Sequence, residues 1–238
     1  MTKIIDIYEA LPEVFSVIAI HAVYKDMTKR TIERAMRRYE REGTITRLKR
    51  GLYARTTANQ FSVAMDIYIG YIGFSSAMYI YGLKTELEAN IYVCTSKAEK
   101  PVSFMNTRIT PVNMGTLLYG TRMLNDVVVS TYAKTIFDML YKPKHANFFD
   151  LFRALNQRPL EKTDLYELLG YLRDADISTI RRVGYILDKR TPKWFVEKVR
   201  NMSSKRGTSF FFHNTAANFN SKWRIYDDAN VIGWSNAV

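Results

Sequence analysis

A row of arginines with helical spacing has the clearest chemistry in this sequence: Arg30, Arg34, Arg37 and Arg41 recur at intervals of three and four residues. A guanidinium group donates paired hydrogen bonds to phosphate oxygens, and each neutralised phosphate releases a condensed counterion, which favours binding. Without an anionic partner, like charges one turn apart destabilise a helix by about 0.2–0.5 kcal/mol per pair. The row therefore predicts a surface that binds a phosphate backbone. The open alternative is an ordinary solvated charged face.

The segment TKRTIERAMRRYERE, residues 28–42, predicts the helix that carries this row. At about 100° per residue, the arginines lie on one face of such a helix. Apolar residues at spacings of three, four and seven lie on the opposite face: Ile32, Ala35, Met36 and Tyr39. We expect an amphipathic helix that packs through its apolar face and presents its cations to solvent.

The chain after this helix, ITRLKRGLYAR, predicts a β-hairpin with a basic tip. Gly43 stands where helices commonly end in a left-handed residue. Two short extended runs, residues 45–48 and 52–55, flank the turn Lys49-Arg50-Gly51, in which glycine supplies a positive φ. A helix followed directly by a basic hairpin is the layout of a winged helix-turn-helix. Its helix enters the DNA major groove, and its wing can contact the neighbouring backbone.

The net charge agrees with an anionic partner and is concentrated around the helix and the hairpin. The chain carries +12 at neutral pH, with a pI near 9.7. Residues 25–55 hold eleven Lys or Arg and four acids, a net +7, so the rest of the chain carries +5. A membrane surface is also anionic, but the apolar face of this helix is too short for insertion. Nucleic acid is therefore the favoured partner.

If the partner is double-stranded DNA, each cation is expected to contact either base edges or phosphates. The N-terminal half of a recognition helix usually contacts base edges, which assigns Lys29, Arg30 and Arg34 to the groove. The remaining cations are expected to contact phosphates: Arg37, Arg38, Arg41, Lys49, Arg50 and Arg55. RNA and another protein are the alternative partners of the same basic face.

Signals of catalysis, cofactors and metal sites are weak. The stretch Gly73-Phe74-Ser75-Ser76-Ala77 only partly matches the G-x-S-x-G nucleophile turn, and either serine is better explained as a helix N-cap. The three histidines, His21, His145 and His213, do not have metal-ligand spacing within one element. Phosphate-binding glycine motifs are absent from the sequence. We expect a protein that is not an enzyme and that has no cofactor and no metal.

The cysteine count and the hydropathy of the chain predict the cellular compartment of the protein. The single cysteine, Cys94, lies in IYVCT and predicts a buried strand residue, with no internal disulfide and no thiolate zinc site. No stretch approaches the roughly 20 apolar residues of a membrane span. The N-terminus carries early acids and lacks a signal-peptide core, so we expect a cytoplasmic protein without a membrane partner.

The order of segments predicts an α+β protein with two domains. An N-terminal winged helix-turn-helix, residues 1–58, precedes a larger mixed α/β C-terminal domain with a helical region, residues 59–238. In the first domain, IIDIYEAL and SVIAIHAVY predict two short helices, the second capped by Ser16. The polar stretch RTTANQFS predicts the boundary near residue 58.

The second domain is predicted to alternate helices and short strands before a run of helices. A helix is expected from Phe74 to about Tyr81, ending at Gly82, and another from Thr131 to Tyr141. Strands are expected in NIYVCT, within residues 102–118 and in DVVVS. Residues 147–200 predict successive helices, and SFFFHNT and KWRIYDD predict short strands at the end of the chain.

Four stretches resemble the AbiEi antitoxin family of type IV, abortive-infection toxin–antitoxin systems. They are LKRGLYAR (48–55), GFSSAMYIYGL (73–83) followed by NIYVCT, DVVVSTYAKTIFDML (126–140) and STIRRVGYILDK (178–189). They occur in the family's order and span most of residues 1–190. The chain departs from the family pattern at Tyr81, where a histidine is usual, and at residues 131–134, which lack the usual glutamate.

The resemblance implies a transcriptional regulator that binds inverted repeats in its own promoter and represses its operon. It also implies a functional partner, a nucleotidyltransferase-like toxin, which the C-terminal domain counteracts without forming a stable complex. The residues themselves independently support only the DNA-binding part of this function.

Overall fold

The chain folds as an α+β protein, which confirms the predicted fold class. The computed structural model describes Tyr8 and residues 11–204, 206–212, 218–228 and 230–236. The predicted helix IIDIYEAL, except for Tyr8 and Leu11, and the histidine at position 213 lie outside these residues. Within the described part of the chain, the strands form three sheets.

The first sheet and two helices form the N-terminal part. Its elements are β1 (Val14–Ser16), α1 (Val17–Val23), α2 (Lys29–Arg41), β2 (Ile45–Lys49) and β3 (Leu52–Arg55). Strand β3 lies in the centre and pairs antiparallel with both β1 and β2. The sequence predicted the hairpin of β2 and β3 but not β1, because a strand of three residues shows no periodicity of its own.

Local capping defines both ends of α2. The Thr28 side chain accepts a hydrogen bond from the backbone N–H of Thr31 (3.2 Å) at the N-terminus. At the C-terminus, Gly43 adopts φ +71°. The Thr44 N–H donates to the carbonyl of Tyr39 (3.1 Å), which completes a Schellman motif. The predicted helix and its terminal glycine are therefore confirmed, as is Ser16, whose side chain caps α1.

The apolar face of α2 packs as its spacing predicted. Ile32 and Met36 have no exposed surface, and Ala35 and Tyr39 are also buried. They join Phe15, Ile20, Ile45 and Tyr53 in one apolar cluster. Burial of this face holds the helix against α1 and the hairpin, so its opposite face points to solvent.

The second sheet has six strands in the order β6-β7-β5-β4-β9-β8. The pairs β5–β7 and β4–β9 are parallel and the others antiparallel. The strands are β4 (Gly70–Ile72), β5 (Asn90–Thr95), β6 (Val102–Phe104), β7 (Thr107–Asn113), β8 (Thr121–Leu124) and β9 (Val127–Ser130). The predicted strands in NIYVCT, residues 102–118 and DVVVS are confirmed, whereas β4 and β8 were not predicted.

Helix α3 (Gln60–Ile67) begins within the stretch that the sequence predicted to be a polar boundary. Asn59 caps it by accepting hydrogen bonds from the N–H groups of Phe61 (2.8 Å) and Ser62 (3.3 Å). Its buried face joins Leu48, Ala54 and Ala58 to the apolar residues of the second sheet. Residues on both sides of the predicted boundary near residue 58 thus belong to one apolar cluster. The division into two domains stays a prediction.

The helical region matches the predicted segments. It comprises α4 (Phe74–Ile80) beside the sheet and then α5 (Tyr132–Tyr141), α6 (Phe148–Gln157), α7 (Lys162–Arg173), α8 (Ile177–Leu187) and α9 (Lys193–Met202). Every residue from 132 to 140 is buried, so α5 is the central helix of this part. In the described residues, no helix combines the length and the apolar character needed to cross a membrane.

The third sheet is small and packs on α8. Its strands are β10 (Ser209–Phe210), β11 (Asn218–Asn220) and β12 (Ile225–Asp227), in the order β10-β12-β11. Trp223 is buried against Gly184 of α8, where a β-carbon would come within 2.1 Å of the indole ring. The sequence predicted β10 and β12 but not β11.

Candidate nucleic-acid interface

The outer face of α2 and the tip of the hairpin carry the predicted cations. Eight of the nine predicted contact residues have exposed side chains. They are Lys29, Arg30, Arg34, Arg37, Arg38, Arg41, Lys49 and Arg50. Because the other face of the same helix is buried, these cations form a surface and not part of the core.

A groove of about 730 Å³ joins the helix to the hairpin. The helix contributes Lys29 and Arg37 to its wall, and the hairpin contributes Arg47, Lys49 and Arg50. Glu33 and Glu40 also line it, so cations outnumber acids by five to two. A second depression along the helix is lined by Lys29, Arg30, Glu33, Arg34 and Arg37. The packing of α2 on the hairpin therefore brings both sets of cations to one face.

Arg47 is a groove residue that the sequence analysis missed. Plain alternation along β2 would place Ile45, Arg47 and Lys49 on one face. Ile45 is nevertheless buried while Arg47 and Lys49 are exposed, and the pairing register shifts between Arg47 and Lys49. The bulge follows Arg47, so it changes the direction of Lys49 and does not account for the exposure of Arg47. The only sequence signal for Arg47 was its charge.

The cations of α2 have few acidic partners within the protein. Among the residues that the structure describes, the only ion pair on α2 joins Arg38 Nε to Glu42 Oε1 (2.8 Å). That hydrogen bond and the charge of Glu42 raise the pKa of Arg38. Both side chains are exposed, so this pair stabilises the helix weakly and can exchange for a phosphate. Within the described residues, none of the row Arg30, Arg34, Arg37 and Arg41 forms an ion pair.

Arg55 was predicted to contact a phosphate, but in the structure it donates hydrogen bonds within the protein. Its side chain is half-buried, and its Nη2 donates hydrogen bonds to the backbone carbonyls of Tyr8 (2.7 Å) and Leu11. The guanidinium carbon lies 5.0 Å from the centre of the Tyr8 ring. Arg55 ends β3 on the side away from the hairpin tip, where it ties the N-terminal segment to the sheet. A buried guanidinium needs such acceptors, and they occupy the group that was predicted to bind phosphate.

The stretch that partly matches a nucleophile turn is part of the core. Phe74, at φ +55°, takes the strained position between strand β4 and helix α4, and it has no exposed surface. Gly73 occupies the N-cap position without a side-chain hydrogen bond, so the predicted serine cap is wrong. The Ser75 hydroxyl instead donates to Glu88 Oε2 (3.0 Å), and Ser76 accepts from the N–H of Tyr92 (3.0 Å).

A buried ion pair lies between the second sheet and the central helix. Lys134 Nζ is 2.5 Å from Asp138 Oδ1, and neither side chain is exposed. The Tyr71 hydroxyl donates to Asp138 Oδ2 (2.9 Å), and burial raises the pKa of Asp138 to about 6 against the opposing effect of Lys134. Cys94 is buried beside this carboxylate, and burial raises its thiol pKa well above the usual value. The group is enclosed by aromatic rings and has the character of a core network.

Comparisons with known proteins support the fold and do not assign a family. No protein-family model matches the chain, and no curated protein matches it. Among solved structures, the chain is similar to the RV2827C protein from Mycobacterium tuberculosis, with a TM-score of 0.68 and 13% sequence identity. The similarity covers 98% of this chain and 92% of that one. At this identity the likeness establishes a shared α+β fold and nothing further.

Proposed function

We propose that the N-terminal part is a winged helix-turn-helix that binds double-stranded DNA. The observation that supports this proposal is the exposed groove in which Lys29 and Arg37 of α2 lie with Arg47, Lys49 and Arg50 of the hairpin. An α-helix with its side chains is about 10–12 Å across and fits the DNA major groove, which is about 12 Å wide. In that position the hairpin tip reaches the adjacent phosphate backbone.

The proposed contacts divide into two groups. Lys29, Arg30 and Arg34, in the first half of α2, contact base edges. Phosphates are contacted by residues near the end of α2 and on the hairpin: Arg37, Arg38, Arg41, Arg47, Lys49 and Arg50. In the described part of the chain, Arg38 and Glu42 form the only ion pair on this surface, which supports the assignment because a cation already paired within the protein gains less from a phosphate.

The biological role proposed for this activity is autorepression of a toxin–antitoxin operon. The resemblance to AbiEi antitoxins supports it; the motifs at residues 48–55, 73–83 and 126–140 fall in the hairpin, in α4 and in β9–α5. A regulator of this kind acts in the cytoplasm, does not catalyse a reaction and opposes a nucleotidyltransferase-like toxin. The operator would contain inverted repeats.

A direct binding comparison tests the proposal. Fluorescence anisotropy at low ionic strength should show tight binding of a duplex from the gene's own upstream region and weaker binding of a random duplex. Tighter binding of a structured RNA than of either duplex would favour the alternative use of the same face. Absence of binding to any duplex at low ionic strength would refute DNA binding altogether.

A further inference from the structure

Glu33 is an acid within the cationic surface of α2. It lines both depressions of that surface, the groove shared with the hairpin and the depression along the helix. Glu33 is half-buried, and the other residues that line the second depression are all cations. They are Lys29, Arg30, Arg34 and Arg37. A carboxylate here repels phosphates, so a surface that contacted only the DNA backbone would gain nothing from it.

An ion pair within the protein does not account for Glu33. Lys29 lies four residues before it and Arg37 four residues after it, the spacing at which acids and cations pair along a helix. Within the part of the chain that the structure describes, Glu33 nevertheless forms no ion pair with either of them. The stability of α2 therefore gives no reason for an acid at this position.

The other exposed charged side chains in the first half of α2 carry hydrogen-bond donors and no acceptors. They are Lys29, Arg30 and Arg34. The Thr31 hydroxyl shares a hydrogen bond with that of Thr28 (2.9 Å), at the cap of the helix. Asn and Gln, the usual partners of adenine, do not occur in residues 28–42. Glu33 is thus a charged acceptor set among charged donors.

This combination matches the major-groove edge of a G·C base pair. Guanine presents the acceptors O6 and N7 to an arginine or a lysine, and cytosine presents its N4 amino group to a glutamate. Adenine also has an amino group, but its N7 acceptor lies beside that group and disfavours a carboxylate. Arg30 and Arg34 are about 6 Å apart along the helix axis, close to two base steps of roughly 3.4 Å. Both arginines can therefore contact guanines within one short site.

We propose that α2 reads a short G·C-rich site, in which Arg30 and Arg34 donate to guanines and Glu33 accepts from cytosine N4. This inference rests on the duplex binding proposed above and adds the identity of the bases. Glu33 is a specificity-determining residue in this arrangement. Its charge lowers affinity for DNA in general, and only a cytosine amino group compensates for that loss, so sites without the cytosine are rejected.

Selection from a library of duplexes with about 20 random base pairs tests the inference on the full chain. The parent protein should enrich a motif with at least two G·C pairs within about four base pairs. Glu33→Gln should replace one of these G·C pairs by an A·T pair, because glutamine bonds to adenine N6 and N7. The other positions of the motif should stay as they are, since Arg30 and Arg34 are unchanged.

Glu40→Gln is the matched control. Glu40 lines the groove shared with the hairpin, but it lies in the second half of α2, among the proposed phosphate contacts. Removing its charge should strengthen the binding of every duplex to a similar extent and leave the selected motif unchanged. For Glu33→Gln, anisotropy should show roughly tenfold weaker discrimination between the selected duplex and the same duplex with A·T at the altered position.

The possible failures of this inference and of duplex binding give different results. An unchanged motif for Glu33→Gln, or a motif of A·T pairs for the parent protein, would overturn the base contacts and leave duplex binding in place. Equal strengthening of all duplexes by Glu33→Gln would show that this acid is only repulsive. Failure of the parent protein to bind any duplex would refute the winged-helix proposal and this inference together.

Discussion

At the scale of single residues, a predicted cation can contact DNA only if its side chain is exposed and is not held by acceptors within the protein. Arg34 and Lys49 are exposed, and in the described residues neither is part of an ion pair. Arg55 has the same charge, but its guanidinium is held by the carbonyls of Tyr8 and Leu11. The residue type alone does not separate these cases. These cases are separated by the exposure of the side chain and by the hydrogen-bond acceptors near it. By both criteria, the proposed interface is restricted to α2 and the hairpin.

Arg34→Ala should weaken binding to the operator more than binding to random DNA. Loss of one base-edge contact is expected to cost about 1–3 kcal/mol of specific binding free energy. Titration of the variant against the upstream duplex and a scrambled duplex measures the difference. Lys198→Ala, which removes an exposed cation from α9, serves as the control and should change neither affinity. An equal loss on both duplexes would show that Arg34 contacts only the backbone.

Lys49→Ala should lower affinity similarly on every duplex, because a phosphate contact carries no sequence information. The slope of log affinity against log salt should shrink by about 0.9, the value for one phosphate contact on duplex DNA. Binding measured across a series of salt concentrations provides the slope. A salt slope identical to that of the parent protein would remove the hairpin tip from the interface.

At the scale of elements, the end of α2 sets where the hairpin begins. The Schellman motif turns the chain at Gly43, which has φ +71°, and β2 starts two residues later. The cations of the helix and the hairpin can share one groove only if this turn is tight. Helix α3 then joins the hairpin to the second sheet through a common apolar cluster. The position of the proposed interface therefore depends on short connections.

Gly43→Ala should destabilise the fold by about 1–2 kcal/mol, since an L side chain disfavours a left-handed backbone. A β-carbon at Gly43 would meet no atom within 4 Å, so the penalty is conformational and not steric. Gly170→Ala inside α7 is the matched control: its β-carbon also meets nothing within 4 Å. There alanine should stabilise by about 0.5–1 kcal/mol. Urea unfolding of both variants gives the two signs, and destabilisation at Gly170 would contradict this account.

At the scale of the whole molecule, the second sheet and the helical region meet at the buried pair of Lys134 and Asp138. Rings from three elements surround the ammonium group: Tyr71 on β4, Phe137 on α5 and Tyr171 on α7. The Tyr71 hydroxyl also donates to the carboxylate. Taking two charges out of water costs solvation energy that can exceed their mutual attraction, so replacing both with apolar residues can leave stability nearly unchanged.

Removing one member of this pair should be far worse than removing both. Asp138→Leu leaves a buried ammonium without its partner, and we expect a loss of about 3–5 kcal/mol in unfolding free energy. The double variant Lys134→Met, Asp138→Leu should be much closer to the parent protein in stability. Calorimetry or chemical unfolding of the parent, both single variants and the double variant completes the cycle. Additive losses in the double variant would show that the two charges do not act as a pair.

Local signals in the sequence determined much of the secondary structure. The 3.6-residue period defined α2, and its apolar face is buried as that period requires. Gly43, Gly51 and Gly82 marked turns correctly, because each adopts a positive φ that other residues disfavour. The predicted helices from α5 to α9 were likewise confirmed. For α6, α8 and α9, an apolar face at helical spacing carried the signal.

Other features were decided only in three dimensions. The strands β1 and β4 have three residues each and form through pairing with partners distant in the sequence. The hydrogen bonds of Arg55 to the carbonyls of Tyr8 and Leu11 also depend on partners distant in the sequence. A periodic pattern reports which face of an element is apolar. It does not report which other element will cover that face or which cations will remain free, because those outcomes depend on contacts between segments far apart in the chain.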